Sequence, residues 1–165
     1  VASLAHLALV EDHSVGVIVS GDHEYLVPLR RGTHQMSRVL QTLTSSKTEG
    51  DNSLAEVLAK NAGQLSRSAS LLVVTSSTDT EWVSVLRELR SLGLSTVVIL
   101  VDPASFGSKQ ALDEVVMKLV SIGIPTYVVH RGDRLSHALS RPIVPRGLPI
   151  FRQHSKSEQV PTGVR

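Results

Sequence analysis

The chain has 165 residues, of which 41% are hydrophobic, 3% are aromatic and none is cysteine. These values fit one domain with an aliphatic core. The absence of cysteine excludes disulfides, thiolate catalysis and thiolate-bound metal centres. The scarcity of aromatic residues argues against a nucleic-acid partner bound by base stacking. No run approaches the roughly 18–20 apolar residues of a membrane span.

The net charge of +2 is unevenly distributed along the chain. Five basic residues and one acidic residue follow position 140, so this segment carries +4 and residues 1–140 carry −2. Four prolines also lie in the segment. We therefore expect an α/β domain over residues 1–140, followed by an extended or disordered basic tail over residues 141–165.

Apolar spacing predicts the elements in the first half of the chain. Two Val- and Leu-rich runs are separated by a short turn, which is typical of an antiparallel hairpin, and Pro28 places the second strand at a sheet edge. Asn52 or Ser53 is a suitable N-cap. The predicted elements are a helix ending near residue 8, strands at 15–19 and 25–29, a helix over 36–43 and a helix over 54–65.

Three later apolar runs each end at a polar cluster. They are Leu71–Val74, Val97–Val101 and Tyr127–Val129, and such runs are typical of parallel strands buried on both faces. Helical patterns between them end at Gly93 and Gly123, where glycine favours a left-handed C-cap. The fold class predicted is α/β, a doubly wound, mostly parallel sheet with one antiparallel edge strand.

The polar clusters mark the candidate site, because ligands of open α/β sheets bind beyond the carboxyl ends of the strands. Thr75–Asp79 offers oxygen ligands of the kind that Mg²⁺ prefers. We favour the alternative that Ser77, Thr78 or Asp79 caps the next helix. His130 ends the last strand, and Asp133 is expected to cap the helix that follows it, with Gly132 making the turn.

Two classes of enzyme lack their usual motifs. No Gly-rich phosphate-binding loop follows any predicted strand, and the chain has no Gly-x-Ser-x-Gly elbow. Nucleotide binding through such a loop and serine-hydrolase chemistry are therefore not expected.

The order of the elements resembles the von Willebrand factor A-like (vWA-like) half of DUF58, a bacterial family of unknown function. The resemblance covers roughly residues 1–140 and rests on segments spread along the chain. These are Ser3–Leu9, Arg30–Gly32, Ser53–Leu58, the helix that contains Trp82, Val101–Pro103 and Gly123–Val129.

The resemblance implies a Rossmann-like sheet with strand order 3-2-1-4-5-6. It also implies a longer, membrane-anchored parent in which this domain lies at the cytoplasmic face of the membrane. Members of the family are often encoded beside MoxR-type AAA ATPases and are not known as enzymes. A non-enzymatic protein–protein interaction module, acting with such an ATPase in complex assembly, is therefore the function that the resemblance implies.

The same resemblance implies a degenerate metal site. A vWA-like domain has an Asp-x-Ser-x-Ser motif after its first strand, and we expect that central strand to lie before Val1 and to be absent from this chain. Asn52 stands where vWA domains have threonine, and Ser76 where they have aspartate. Weak metal candidates are then Asn52, Ser53, Ser76 and Asp79, and Mg²⁺ binding is expected only if upstream residues complete the site.

Two alternatives use the same strand ends. One is a small-molecule enzyme with His130 as its base, and the other is a metal-dependent, adhesion-type binding domain. We favour a partner-binding rim without catalytic residues or a cofactor, and we expect the edges left by the missing strand to cause self-association. The predicted rim consists of Ser76, Ser77, Asp79, Asp102 and His130.

Overall fold

The computed structural model describes residues 1–21, 23–46, 50, 52–65 and 68–143. The tail predicted for 141–165 lies outside the described residues from position 144 onward. The helices are α1 (Ala2–Val10), α2 (Thr33–Ser45), α3 (Leu54–Asn61), α4 (Glu81–Ser91), α5 (Asp113–Ser121) and α6 (Leu135–Ala138). The strands are β1 (Val15–Ser20), β2 (Glu24–Arg30), β3 (Ser70–Thr75), β4 (Ser95–Val101) and β5 (Thr126–Val129).

The strands form two sheets. β1 and β2 pair as the predicted antiparallel hairpin, and β3, β4 and β5 form a parallel sheet in that order. The predicted α/β class, with parallel strands and an antiparallel pair, is confirmed. Within the described residues no strand pairs with both β1 and β3, so the hairpin and the parallel sheet remain separate.

The main core lies on one face of the parallel sheet. Helices α3, α4 and α5 all contribute to it, and Trp82, Leu86 and Leu119 are fully buried within it. Val98, Ile99 and Leu100 are all buried, so β4 is covered on both faces as its apolar run predicts.

For β3 the prediction of burial on both faces is wrong. Val73 points into the main core, but Leu72 and Val74 on the opposite face are 41% and 36% exposed. The reason is that the helices α3, α4 and α5 cover the same face of the sheet. The exposed apolar side of β3, formed by Leu72 and Val74, is called the open face below.

The helix ends follow their local signals, with one exception. Gly93 and Gly123 have φ angles of +92° and +68° at the ends of α4 and α5, as predicted. The helix predicted to reach residue 65 instead ends at Asn61, and a 3₁₀ turn over Ala62–Gln64 follows. The buried Asn61 amide donates to Val57 O at 2.9 Å, which occupies a carbonyl near the end of the helix.

Helix α1 is apolar, yet Ala5 is its one fully buried side chain. It packs on α2 and on the hairpin, in a second, smaller core with Val27 and Val39. None of the described helices has both the length and the apolar character needed to cross a membrane.

One glutamine holds α2 on the open end of the hairpin. Gln35 is 2% exposed, and its Nε2 donates to Val15 O at 2.7 Å and to Pro28 O at 2.8 Å. The strand register shifts at Gly16, where an added Cβ would lie only 2.9 Å from Val27 O. Because a β-bulge interrupts the ladder, the glutamine supplies donors to carbonyls from both strands.

A carboxylate connects the hairpin to α3. The Glu24 side chain is 14% exposed, and its Oε1 lies 3.2 Å from Lys60 Nζ and 3.3 Å from Asn61 Nδ2. Because α3 also contributes to the main core, these contacts link the two halves of the domain.

The Gln35 contacts predict a specific loss of stability. Replacing Gln35 with alanine leaves two inward-facing carbonyls without a donor, so we expect the free energy of unfolding to fall by about 2 kcal/mol. Urea unfolding measures this loss, with Gln41→Ala as the control because Gln41 is exposed on the same helix. Equal stability for the two variants would contradict the role of Gln35.

Candidate functional site

The carboxyl ends of β3 and β4 border a shallow depression. It has a volume of about 310 Å³ and joins Ser76, at the end of β3, to residues at and after the end of β4. Phe106 lines it and is 56% exposed. The other lining residues are Val101, Pro103 and Ser108.

Asp102 fixes the loop that carries Phe106. Its Oδ1 accepts a hydrogen bond from the Ala104 N–H and its Oδ2 accepts one from the Ser105 N–H, each at 3.1 Å. These bonds begin a 3₁₀ turn, Ala104–Phe106, which ends at Gly107 with φ +99°. The polar cluster after β4 therefore acts as a cap, and the turn presents Phe106 to solvent.

Ser105 joins the β4 loop to the β5 loop. Its hydroxyl donates to Asp102 O at 2.8 Å and accepts from the Arg131 N–H at 2.9 Å. The Ser105 hydroxyl thus connects the two loops by donating one hydrogen bond and accepting another.

His130 lies between two carboxylates. Its Nδ1 is 3.2 Å from Asp133 Oδ2, and its Nε2 is 3.9 Å from Asp102 Oδ2. The His130 N–H also donates to Asp133 Oδ2 at 2.9 Å. The structure therefore brings together two residues of the predicted rim, Asp102 and His130. Asp133, which was expected to cap the following helix, lies beside them.

The expectation that Asp133 caps the following helix is wrong. Helix α6 begins after Arg134, with no side-chain cap, and the Asp133 carboxylate instead reaches back to His130. The reason is the turn at Gly132, which has φ +86° and places Asp133 over the end of β5. The prediction that Gly132 makes the turn is confirmed.

The pKa of Asp133 is lowered from its ordinary value. The hydrogen bond from the His130 backbone N–H is the largest cause, partial desolvation opposes it, and the His130 side chain lowers the pKa further. Each favourable contact stabilises the ionised carboxylate.

The oxygen cluster after β3 also makes local hydrogen bonds. The N-cap of α4 is Thr80, without a side-chain cap, so none of Ser77, Thr78 and Asp79 occupies the predicted cap position. Asp79, one residue earlier, still accepts a hydrogen bond at Oδ1 from the Glu81 N–H at 3.0 Å. Ser77 Oγ accepts from the Asp79 N–H at 3.3 Å, and the Ser77 N–H donates to Thr75 Oγ1 at 3.0 Å. Ser76 is exposed at the depression.

The two candidates before α3 have a local role as well. Ser53 is the N-cap, as predicted, and it forms a capping box in which Ser53 Oγ accepts from the Glu56 N–H and Glu56 Oε2 accepts from the Ser53 N–H. Asn52 precedes it and is exposed. In the part of the chain that the structure describes, no group of three or more His, Asp or Glu side chains is placed to hold a metal ion.

Sequence reasoning missed Ser105 and Phe106. Ser105 follows Asp102 at a spacing that suits a capped turn, so a local signal existed. Phe106 stood out only as one of two phenylalanines in the chain. Its exposure depends on the turn geometry, which no periodicity indicates.

A family model described as "Protein of unknown function DUF58" matches residues 1–138. Neither a curated protein nor a solved structure matches the chain.

The lowered pKa of Asp133 predicts a pH dependence of stability. Since the folded carboxyl group binds a proton less readily than the unfolded one, whose pKa is about 3.9, its contribution is present above about pH 4. That contribution is lost as the pH falls through the lowered pKa of the folded state. We therefore expect Asp133→Asn to lose less stability than the wild type on acidification.

Urea midpoints measured at about pH 5 and about pH 3 compare the two proteins across that window. Glu88→Gln, which removes an exposed carboxylate from α4, is the matched control and should keep the wild-type pH dependence. An equal loss of stability in Asp133→Asn and the wild type would show that the His130–Asp133 contact does not stabilise the fold.

Proposed function

We propose that this chain, which belongs to the DUF58 family of proteins of unknown function, is a non-enzymatic protein-binding module. Its docking surface is the predicted rim of Ser76, Ser77, Asp79, Asp102 and His130, together with Phe106. The observation that carries the proposal is the exposure of Phe106, which lines the strand-end depression.

The chemistry around Phe106 suits a protein partner. Val101 and Pro103 contribute apolar groups to the lining of the depression, and Ser76 and Ser108 contribute hydroxyl groups. Protein interfaces commonly have an aromatic anchor at the centre and polar groups at the edge. A chain with 3% aromatic residues that exposes more than half of a phenylalanine favours such a role.

The hydrogen bonds of the rim support binding rather than bond-making chemistry. Asp102, Asp79 and Ser105 all bond to backbone groups of their own or the adjacent loop. These bonds hold the loops in one conformation, so a partner loses little free energy in ordering them.

The partner that we propose is a MoxR-type AAA ATPase, and the process is assembly of a protein complex. We further propose that the domain works at the cytoplasmic face of a membrane, as part of a membrane-anchored parent. The support for these statements is the resemblance of element order and motifs to the vWA-like half of the family.

The test replaces Phe106 with serine. Removing a buried phenylalanine contact should weaken binding by about 2 kcal/mol, roughly thirtyfold in Kd. Biolayer interferometry with a purified MoxR-type ATPase from the same organism measures the change. Met117→Ser is the matched control, because Met117 is 65% exposed on α5 and lies outside the depression.

Wild-type affinity in the Met117 variant and reduced affinity in the Phe106 variant would support the rim. Equal affinity in both variants would exclude the rim as the contact surface. No binding by the wild-type chain, in the presence or absence of ATP, would exclude this partner.

A further inference from the structure

The charged residues beyond the carboxyl ends of the parallel sheet are ordered by sign. β3, β4 and β5 lie side by side in that order, so the segments that follow them do as well. Asp79 and Glu81 follow β3 and are exposed, and we call them the acidic side. Arg131 and Arg134 follow β5 and are exposed, and we call them the basic side. Phe106 follows β4, the central strand, and therefore separates the two sides.

The acidic side keeps its charge. The Glu81 side chain makes no hydrogen bond or ion pair with the described residues, and Asp79 uses Oδ1 to accept from the Glu81 N–H. One lysine is close, since Lys118 Nζ donates to Thr80 Oγ1 at 2.7 Å, but the same Nζ lies 2.9 Å from Glu114 Oε1. The four ionised side chains together carry two negative charges.

The basic side also has guanidinium groups without an acidic partner. Neither Arg131 nor Arg134 makes a side-chain hydrogen bond or ion pair with the described residues. The acidic residue between them in the sequence is Asp133, and its Oδ2 accepts from the His130 N–H at 2.9 Å. Both arginine side chains are therefore available to an anionic group of another molecule.

A second depression, of about 550 Å³, includes Arg134 of the basic side. Its donors include the Arg134 guanidinium, the His137 ring and the Ser136 hydroxyl, which are groups that bind carboxylates. The strand-end depression is lined instead by apolar groups and by Phe106. One depression thus suits an apolar side chain and the other suits an acidic one. The remaining residues that line the second depression are Gly132, Asp133 and Ser140.

The spacing of the two depressions is fixed by contacts between the β4 and β5 loops. Ser105 Oγ accepts from the Arg131 N–H at 2.9 Å. The His130 ring lies between the carboxylates of Asp102 and Asp133, at 3.9 Å and 3.2 Å. Loops that are connected in this way present a preformed surface, so the surface selects partners by their own spacing of charge and apolar groups.

We infer that the partner segment that docks here carries a basic, an apolar and an acidic residue in that spatial order. The inference rests on the proposed function and specifies the chemistry of the partner. The basic residue meets the acidic side, the apolar residue enters the strand-end depression beside Phe106, and the acidic residue meets Arg134. A segment with the same charge at both ends meets a like charge on one side, which lowers its affinity.

Strand geometry sets the length of the segment. Neighbouring strands lie about 4.8 Å apart, so the distance from β3 to β5 is about 10 Å. An extended chain rises about 3.3 Å per residue, and its alternate side chains face the same way. Three alternate positions span about 13 Å, so five extended residues reach from the acidic side to the basic side.

The test uses three five-residue peptides with blocked termini. They are Lys-Ser-Leu-Ser-Glu, Lys-Ser-Leu-Ser-Lys and Glu-Ser-Leu-Ser-Glu. Titration into the ¹⁵N-labelled 165-residue chain up to about 10 mM, followed through the Phe106 amide resonance, gives each Kd. The mixed-charge peptide should bind about fivefold more tightly than either of the others, because exposed ion pairs contribute modestly.

Charge reversal in the protein should change this preference. Asp79→Asn combined with Glu81→Lys makes the acidic side basic and should favour the peptide with two glutamates. Arg134→Glu should favour the peptide with two lysines. Arg38→Glu is the matched control, because Arg38 is exposed on α2 and undergoes the same change of charge. It should keep the wild-type preference, and circular dichroism checks that every variant is folded.

Equal affinity for the three peptides would overturn the inference, as would an unchanged preference in Arg134→Glu or no peptide binding by the wild type. Weaker binding of the mixed-charge peptide by Phe106→Ser would support the position of its leucine. Phe106-dependent binding of the ATPase without a peptide preference would leave the proposed function standing alone. The expected preference without ATPase binding would support the charge order and exclude that ATPase as the partner.

Discussion

The structure depends on the burial of one face of the parallel sheet beneath α3, α4 and α5. Trp82 and Leu86 of α4 and Leu119 of α5 are fully buried in one core with Val98 and Leu100 of β4, the central strand of the three. Because three helices share this face, β3, β4 and β5 are held side by side with their carboxyl ends at one edge. The loops that form the candidate site are therefore placed by a core that contains none of the rim residues.

The loops at that edge are shaped by hydrogen bonds from side chains to the backbone. Asp79 satisfies the first N–H of α4, Asp102 satisfies two N–H groups of the 3₁₀ turn, and Asp133 satisfies the N–H of His130. In the loop after each strand, the carboxylate thus accepts hydrogen bonds from backbone N–H groups. An N–H group left without an acceptor would lower the free energy of unfolding. The surface that results combines these hydrogen-bonded polar groups with the exposed ring of Phe106.

Much of this fold could be predicted because its signals are local. The apolar runs located the five strands of the described residues, Gly93 and Gly123 marked the ends of two helices, and Ser53 acts as the expected cap. The exceptions depend on contacts between distant segments. Asn61 ends α3 early beside a carboxylate from β2, and the open face of β3 arises from where the helices pack.

The candidate site was predictable to a lesser degree for the same reason. Strand-end position identified Asp102 and His130, which do lie within reach of each other. The role of Asp133 was not predictable from the sequence. The turn at Gly132 places its carboxylate next to the preceding His130 N–H, instead of the N–H groups of the following helix. Phe106 was missed since an aromatic residue in a polar loop has no periodic pattern to indicate exposure.

The position of Trp82 has a consequence for spectroscopy. It is the sole tryptophan of the chain and lies in the main core, while the smaller core around Val39 contains none. Tryptophan emission therefore reports the packing of the parallel-sheet half and is blind to the hairpin half, whereas circular dichroism reports both. Coincident unfolding transitions by fluorescence and circular dichroism would show that the two halves unfold as one cooperative unit. Separate transitions would show that the contacts of Glu24 with Lys60 and Asn61 do not couple them.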